Sequence, residues 1–419
     1  MITRQWAVDL TPEARDELRG SVRPSSVNRA TTQRLTSLDA YRGFIMLVMA
    51  SGGFGFPQMA RKFTDSMTWQ FLGYQFDHVA WAGCGFWDLI QPSFMFMVGV
   101  AVPYSLARRL GDGQSFGRVM LHTVFRALLL IWLGIFLSSN WSKQTDFTFV
   151  NVLTQIGLGY VFLVLLAGRG TAIQLAAIAI ILVGYWAAFA THPLRPPDFD
   201  YRTVLDPKMA AEDMQHLYSG FFAHWNKNTN WAADVDVAFL NWFPRTEPFR
   251  FNRGGYQTLN FIPSLATMIF GLIAGEMLRS SRSAREKFLR LVVWGAICLA
   301  LGFVADQTMC PSVKRIWTPS WAVFSTGWTL WMLAGFYWLI DMQGWRAWAF
   351  PFVVVGMNSI AMYCMAQLMT GWVKNTFKIH LGQEIFDGTY GPILASVSAL
   401  AVLWLVCYWM WRKKVFVRI

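Results

Sequence analysis

The chain has 419 residues, of which 55% are hydrophobic, 16% aromatic and only 14% charged. A composition this apolar excludes a soluble globular protein. The net charge of +12 would point to nucleic acid in a soluble chain. Here the basic residues lie between apolar runs, so membrane orientation accounts for them and a nucleic-acid partner is set aside. The expected fold class is an all-α polytopic membrane protein embedded in the lipid bilayer.

Residues 1–36 carry Arg4, Arg15, Arg19, Arg23, Arg29 and Arg34 among proline, serine and threonine. This segment reads as a disordered cytoplasmic tail with one short helix near 11–19. It has no apolar core of the signal-peptide kind, so no cleavable leader is expected. Ser37-Leu38-Asp39-Ala40-Tyr41-Arg42-Gly43 opens the first span. Ser37 is the expected N-cap there, and Asp39 suits the positive end of the helix dipole. The glycine-rich run 51–57 ends it.

Nine further spans follow by hydropathy, near 89–108, 119–138, 150–167, 171–190, 259–278, 288–305, 321–340, 349–370 and 391–411. The total is about ten transmembrane helices. The turn 279–287 holds Arg279, Arg282, Arg285 and Lys287, and the last residues hold Arg412, Lys413, Lys414 and Arg418. This bias places both termini in the cytoplasm. One membrane domain over 37–419 is expected, with a large outer loop at about 192–258. His78 falls on the outer side.

Four groups of residues stand out from the apolar background. His78 lies in Gln75-Phe76-Asp77-His78-Val79-Ala80-Trp81-Ala82-Gly83, just ahead of a span that opens with Asp88. A titratable imidazole beside carboxylates at a membrane boundary can do chemistry, or it can simply anchor the helix end. Arg118, His122 and Arg126 recur every four residues and share one face of the third span. Arg126 lies deepest, where an unpaired cation costs about 2.5–3.5 kcal/mol, so it should face protein or an anionic ligand. Asn358 and Ser359 sit mid-span and should face the bundle interior, as helix-to-helix bonds or as site residues. The outer loop contains Trp225-Asn226-Lys227-Asn228, a mix that suits sugar recognition or an ordered cap with asparagine turns. The five cysteines show neither pairing nor metal spacing, and the scattered histidines point to no metal centre.

Taken in order, several of these stretches resemble the transmembrane acyltransferase family that includes heparan-alpha-glucosaminide N-acetyltransferase. The similarity is carried by Ser37-Leu38-Asp39-Ala40-Tyr41-Arg42-Gly43, His78-Val79-Ala80-Trp81-Ala82-Gly83 and Asp88-Leu89-Ile90-Gln91-Pro92-Ser93-Phe94. Arg126, Leu153-Thr154-Gln155-Ile156-Gly157, Lys314-Arg315-Ile316-Trp317 and Gly356-Met357-Asn358-Ser359 continue the series. The resemblance implies a bacterial-type member without the large lumenal N-terminal domain. It would sit in the inner membrane with His78 on the periplasmic side, moving acetyl from cytosolic acetyl-CoA to an amino sugar or envelope glycan. His78 falls on the family's catalytic histidine. Three positions depart from the family pattern: Ala50, with Ser51 beside it, where an asparagine is expected; Gln155 in place of an arginine; and Asn252-Arg253-Gly254-Gly255 in place of an acidic turn.

The resemblance and the chemistry of acyl transfer together give role assignments. The reaction needs a neutral amine, a base for its proton and donors for the thioester oxyanion. His78 is the expected base, oriented by Asp77 or Asp88, with Asn358 or Ser51 as oxyanion donors. An acetyl-histidine relay is the alternative. Arg42, Arg126, Lys314 and Trp317 are expected to hold acetyl-CoA, and Trp81, Trp225, Asn226 and Asn228 the acceptor. No metal is called for, and homodimerisation stays open. A transporter or flippase for a sugar or glycolipid would use the same polar groups without acyl chemistry.

Overall fold

Glycine decides how closely the central helices approach. A methyl group at Gly99 would overlap the carbonyl oxygen of Met268, and one at Gly271 would overlap that of Phe96. The helices Ile90–Gly111 and Phe261–Arg279 therefore cross with their backbones in contact, as small residues permit between membrane helices. Gly43 and Gly356 do the same for a second pair: a methyl at either would meet the backbone of Phe352 or Asp39 respectively. Across the first two spans, the hydroxyl of Tyr41 donates to Ser93 Oγ at 2.9 Å, both groups being fully buried.

The computed structural model describes residues 35–417. Of the expected tail over 1–36, residues 1–34 with the short helix lie outside the described residues, as does Arg418, while Thr36 already opens the first helix. Those described are helical, with turns and no strand. In chain order the helices are α1 (Thr36–Ala50), α2 (Phe56–Lys62), α3 (Met67–Gln75), α4 (Ile90–Gly111), α5 (Phe116–Ser138), α6 (Val152–Leu166), α7 (Thr171–Ala190), α8 (Ala210–Gln215) and α9 (Trp231–Leu240). They continue with α10 (Phe261–Arg279), α11 (Ala284–Thr308), α12 (Pro319–Phe336), α13 (Phe350–Gly356), α14 (Ser359–Leu381), α15 (Gln383–Asp387) and α16 (Gly391–Arg412).

Among the described residues, seven helices are long and apolar enough to cross a membrane, or nine if each of two bent pairs counts as one span. The shorter α6 occupies the remaining expected position. The span containing α10 is 78% buried, whereas those of α7 and α11 are 22% buried. The first therefore lies inside the bundle, and the other two turn apolar faces such as Val293, Ile297 and Leu301 outward. Outward apolar faces on helices of this length are what lipid contact requires. The chain is a multi-pass membrane protein.

Three local expectations are corrected. Ser37 does not cap α1: the cap position is Leu35, and Ser37 is the second helical residue, its amide donating to Asp341 Oδ2 at 3.3 Å. The first span does not simply stop at the glycine run but bends by 55° into α2. The expected span 349–370 is broken at Met357 and Asn358, where the chain turns by 73° into α14. Asn358 thus sits at a break rather than mid-helix. Its amide donates to the Val415 carbonyl at 3.1 Å and its oxygen accepts from the Val417 amide at 3.0 Å. Backbone groups freed by the break are buried at such a depth only where protein satisfies their neighbourhood.

The loop between α7 and α10 builds a small core of its own. Trp225 and Phe189 stack with rings 6.3 Å apart, and Trp81, Cys310, Val313 and Ile316 close around them. One end of the bundle is thereby capped by ordered protein, and the loop leading into α4 is part of that cap.

Candidate active site

The loop 76–85 leaves α3 and enters a short turn, Phe86–Leu89, that runs into α4. That turn carries Asp88, which is 1% exposed. Its Oδ2 accepts from the amides of Val79 and Gly85, each at 3.3 Å. Its Oδ1 faces His78 Nδ1 at 2.8 Å and Lys314 Nζ at 3.3 Å. Two backbone amides, an imidazole and an ammonium thus surround a carboxylate that burial alone would make costly.

Lys314 arrives from the far side of the sequence on the turn Lys314–Ile316. It is 4% exposed. Two bonds clip its segment to the His78 loop and a third ties it to Gly254. The Gly83 amide donates to the Ser312 carbonyl at 3.0 Å, while Arg315 donates to the carbonyls of Val79 at 3.2 Å and Gly254 at 2.9 Å. Trp317 ends the turn in the left-handed region at φ 46°. A bulky residue rarely adopts that conformation unless its surroundings enforce it, and Trp317 is wholly buried with Nε1 donating to Thr267 Oγ1 at 3.3 Å.

The proton arrangement follows from who can donate. Lys314 Nζ lies 3.2 Å from His78 Nδ1 as well, but an ammonium has no lone pair to offer. Nδ1 satisfies the carboxylate by carrying its proton toward Asp88, and Lys314 donates to the same oxygen. The hydrogen-bond network thereby assigns the ring proton to Nδ1 and leaves the lone pair on Nε2. The ring is 37% exposed, with Trp87 edge-on at 6.3 Å between centroids. Burial of the rest of the imidazole, helped by the cations Lys314 and Arg315, holds its pKa below the usual 6.5 against the pull of Asp88. The ring is therefore neutral near pH 7, with a basic nitrogen facing away from its orienting carboxylate.

Of the two carboxylates considered for orienting the ring, Asp88 is the one that meets it. Asp77 accepts from the backbone amide of His78 at 2.8 Å and lies 3.9 Å from Arg61 at the surface. Neither expected oxyanion donor bonds to His78. Ser51, at the end of α1, gives its hydroxyl to the Val48 carbonyl at 2.6 Å, and Asn358 is committed to the chain end.

The residues expected at acetyl-CoA separate in the structure. Lys314 joins Asp88, and Trp317 is sealed beneath it. Arg42 donates to Asp39 and to the carbonyl of Gly356, tying α1 to α13. Arg126 donates to the Tyr160 hydroxyl at 2.8 Å and lies 4.6 Å over that ring. It lines a cleft between α4, α5 and α6 together with Arg109 and His122, which approach each other at 2.9 Å.

The expected acceptor residues also have internal partners. Trp81 is 3% exposed and donates from Nε1 to the Trp225 carbonyl at 3.1 Å. Asn226 bonds the amide and carbonyl of Tyr218, and Asn228 donates to the carbonyls of Val204 and Asn252. These four side chains build the cap. A cavity lies elsewhere, among Asp236, Arg245, Phe249, Phe251 and Asn252. In the sequence, Asp236 is a single carboxylate in a short helix and carries no pattern that separates it from a surface group.

Fold and site define a class: an all-helical multi-pass membrane protein with a buried His–Asp–Lys cluster under an ordered cap. Over 98% of its length the chain is similar to heparan-alpha-glucosaminide N-acetyltransferase, with 24% identity to the Homo sapiens protein over 458 residues and 21% to the Mus musculus protein over 464. The family resemblance drawn from the sequence motifs is thereby upheld. The chain spans 64% of the length of each of these relatives. No family model matches it.

Proposed function

We propose that the chain is a membrane-bound acetyltransferase that moves an acetyl group from acetyl-CoA to an amino sugar or envelope glycan. The observation that carries this reading is the 2.8 Å bond from His78 Nδ1 to Asp88, which leaves Nε2 as a base. The name of the relatives, which describes N-acetyl transfer to a glucosaminide, supports it. In the step proposed, the neutral amine bonds to the thioester carbonyl carbon while Nε2 takes the amine proton. The carbon–sulfur bond breaks, and the imidazolium returns its proton to the departing CoA thiolate. Asp88 stabilises the imidazolium in between, and Lys314 donates to the same carboxylate oxygen.

Arg126 is the proposed contact for the phosphates of CoA, because a guanidinium pairs well with phosphate oxygens. Arg42 belongs to helix packing in this reading, and Trp81, Trp225, Asn226 and Asn228 form the wall of the acceptor region rather than its contacts. The membrane is proposed to be a cell membrane, with the cap and His78 on its outer face.

Purified protein given acetyl-CoA labelled in the acetyl group, together with glucosamine, is expected to release labelled N-acetylglucosamine. Vesicle-reconstituted protein that carries glucosamine across unchanged, with no label transferred, would make it a transporter and end this proposal.

A further inference from the structure

A buried carboxylate with one oxygen committed and the other without a donor lines the cavity among Arg245, Phe249, Phe251 and Asn252. Asp236, on α9, is 1% exposed. Its Oδ2 accepts from the Thr258 amide at 2.9 Å, the Thr258 hydroxyl stands beside the carboxylate, and among the described residues Oδ1 is buried with no donor in bonding geometry. Nearby Arg245 does not supply the missing donor. Its Nε serves the Leu240 carbonyl at 2.8 Å, its Nη2 serves that of Phe147 at 2.6 Å, and its Nη1 lies 3.7 Å from Asp146. Outside the cavity lining, Gln155 Oε1 and Gln257 Oε1 are likewise buried without a donor among the described residues. Gln155 is tied to Asp236 through Thr258, whose carbonyl it binds at 3.2 Å.

The cavity holds about 270 Å³ of space. Phe249 and Phe251 are among its apolar lining residues, and Thr148, Asn252, Asp146 and Arg253 among its polar and charged ones. A chain of bonds links it to the His78 cluster: Asn252 lines the cavity, the Gly254 carbonyl binds Arg315, and Arg315 binds the Val79 carbonyl beside His78. A polyol with apolar ring faces and O–H or N–H donors matches this combination of phenyl surfaces and the unfilled acceptor of Asp236.

We infer that this cavity is a subsite for the sugar unit flanking the one acetylated, and that Asp236 Oδ1 accepts a hydroxyl or ammonium donor from it. This rests on the acetyltransferase reading above. The flanking unit is indicated over the reacting one by charge. An amine held against a buried carboxylate is kept protonated, and a protonated amine cannot attack a thioester. Burial pushes the Asp236 carboxyl up to about 6. Its folded pKa thus exceeds the usual value, so the unliganded fold loses stability as pH rises toward 6 and carries that cost at neutral pH. A group that weakens the fold at rest, and is relieved by a donor, has the signature of a site retained for binding.

The test uses the full chain in detergent, carrying His78→Ala to prevent turnover, titrated calorimetrically with glucosamine and with the glucosamine disaccharide from chitosan. The disaccharide is expected to bind more tightly than the monosaccharide. Asp236→Asn should weaken the disaccharide by about tenfold, the scale of one hydrogen bond to a charged group, and leave the monosaccharide unchanged. Its melting temperature at pH 7.5 should equal or exceed that of the parent, because Asn keeps the bond to Thr258 and removes the buried charge. Equal binding of the two sugars by the parent would overturn the inference. So would disaccharide affinity untouched by Asp236→Asn, or an equal loss for both sugars. Acetyl transfer is measured separately on the wild-type chain, so a failed transfer assay counts against the enzyme reading while the sugar discrimination decides the subsite.

Discussion

His78→Ala is expected to lower acetyl transfer by about two to four orders of magnitude, the range that a positioned general base contributes. The variant should fold, because the ring is 37% exposed and only its Nδ1 side is packed into the cluster. Acetyl-CoA affinity should be unchanged in the same preparation. Raising the pH should restore part of the rate, since more of the acceptor amine is then already neutral. An acetyl-histidine relay gives another pattern: acetyl-CoA alone would leave an acetyl mass on the peptide containing His78, and pH would rescue nothing. Near-normal transfer by a folded variant would reduce His78 to an anchor at the helix end.

The second large effect is on stability. Lys314→Met removes the ammonium from Asp88 and leaves a carboxylate that is 1% exposed with an imidazole and two amides as its only partners. Breaking a buried charge pair from one side typically costs about 3–5 kcal/mol, because the surviving ion stays desolvated. A sharp fall in melting temperature is the expected result. Asp88→Asn should be as damaging, since it strands the buried Lys314. The double change Asp88→Asn with Lys314→Met removes both charges and should recover most of the loss, yet remain inactive for want of the group that orients His78. If the double variant melts no higher than the singles, the pair contributes to stability by packing and not by charge.

The spans were readable because lipid demands them. About twenty apolar residues are needed to cross the hydrocarbon, and nothing else in the chain looks like that. The break at Asn358 was not readable, since Gly356-Met357-Asn358-Ser359 has no proline and apolar neighbours on both sides. What opens the helix is a pair of bonds to Val415 and Val417, which are 57 and 59 residues away. His78 and Asp88 were readable as a pair because both stand at one span mouth, ten residues apart.

Lys314 was not readable as their companion, as 226 residues separate it from Asp88, and the resemblance had set it with acetyl-CoA. The cap misled in a different way. Trp225, Asn226 and Asn228 have the composition of a sugar-binding surface, but aromatic and amide side chains equally serve a loop that must bury its own turns. Burial, which composition does not encode, decides between the two. It turns these residues inward and leaves Asp236 at the open cavity.

The central claim is that a neutral His78, its proton held on Nδ1 by Asp88, is the base. The pH dependence of kcat/KM for acetyl transfer tests it most directly, once rates are referred to the concentration of neutral amine. The sign is fixed by the ring's surroundings. Burial and the neighbouring cations lower the His78 pKa from 6.5. Activity should therefore be lost only on acidification, along a single limb with its midpoint below 6.5, and be flat from there to pH 8. Lys314→Met, if enough folded protein is obtained, should move that midpoint upward by removing one of the cations. A wild-type profile with no acid limb, or with its midpoint above 6.5, would contradict the assignment of His78 as the base.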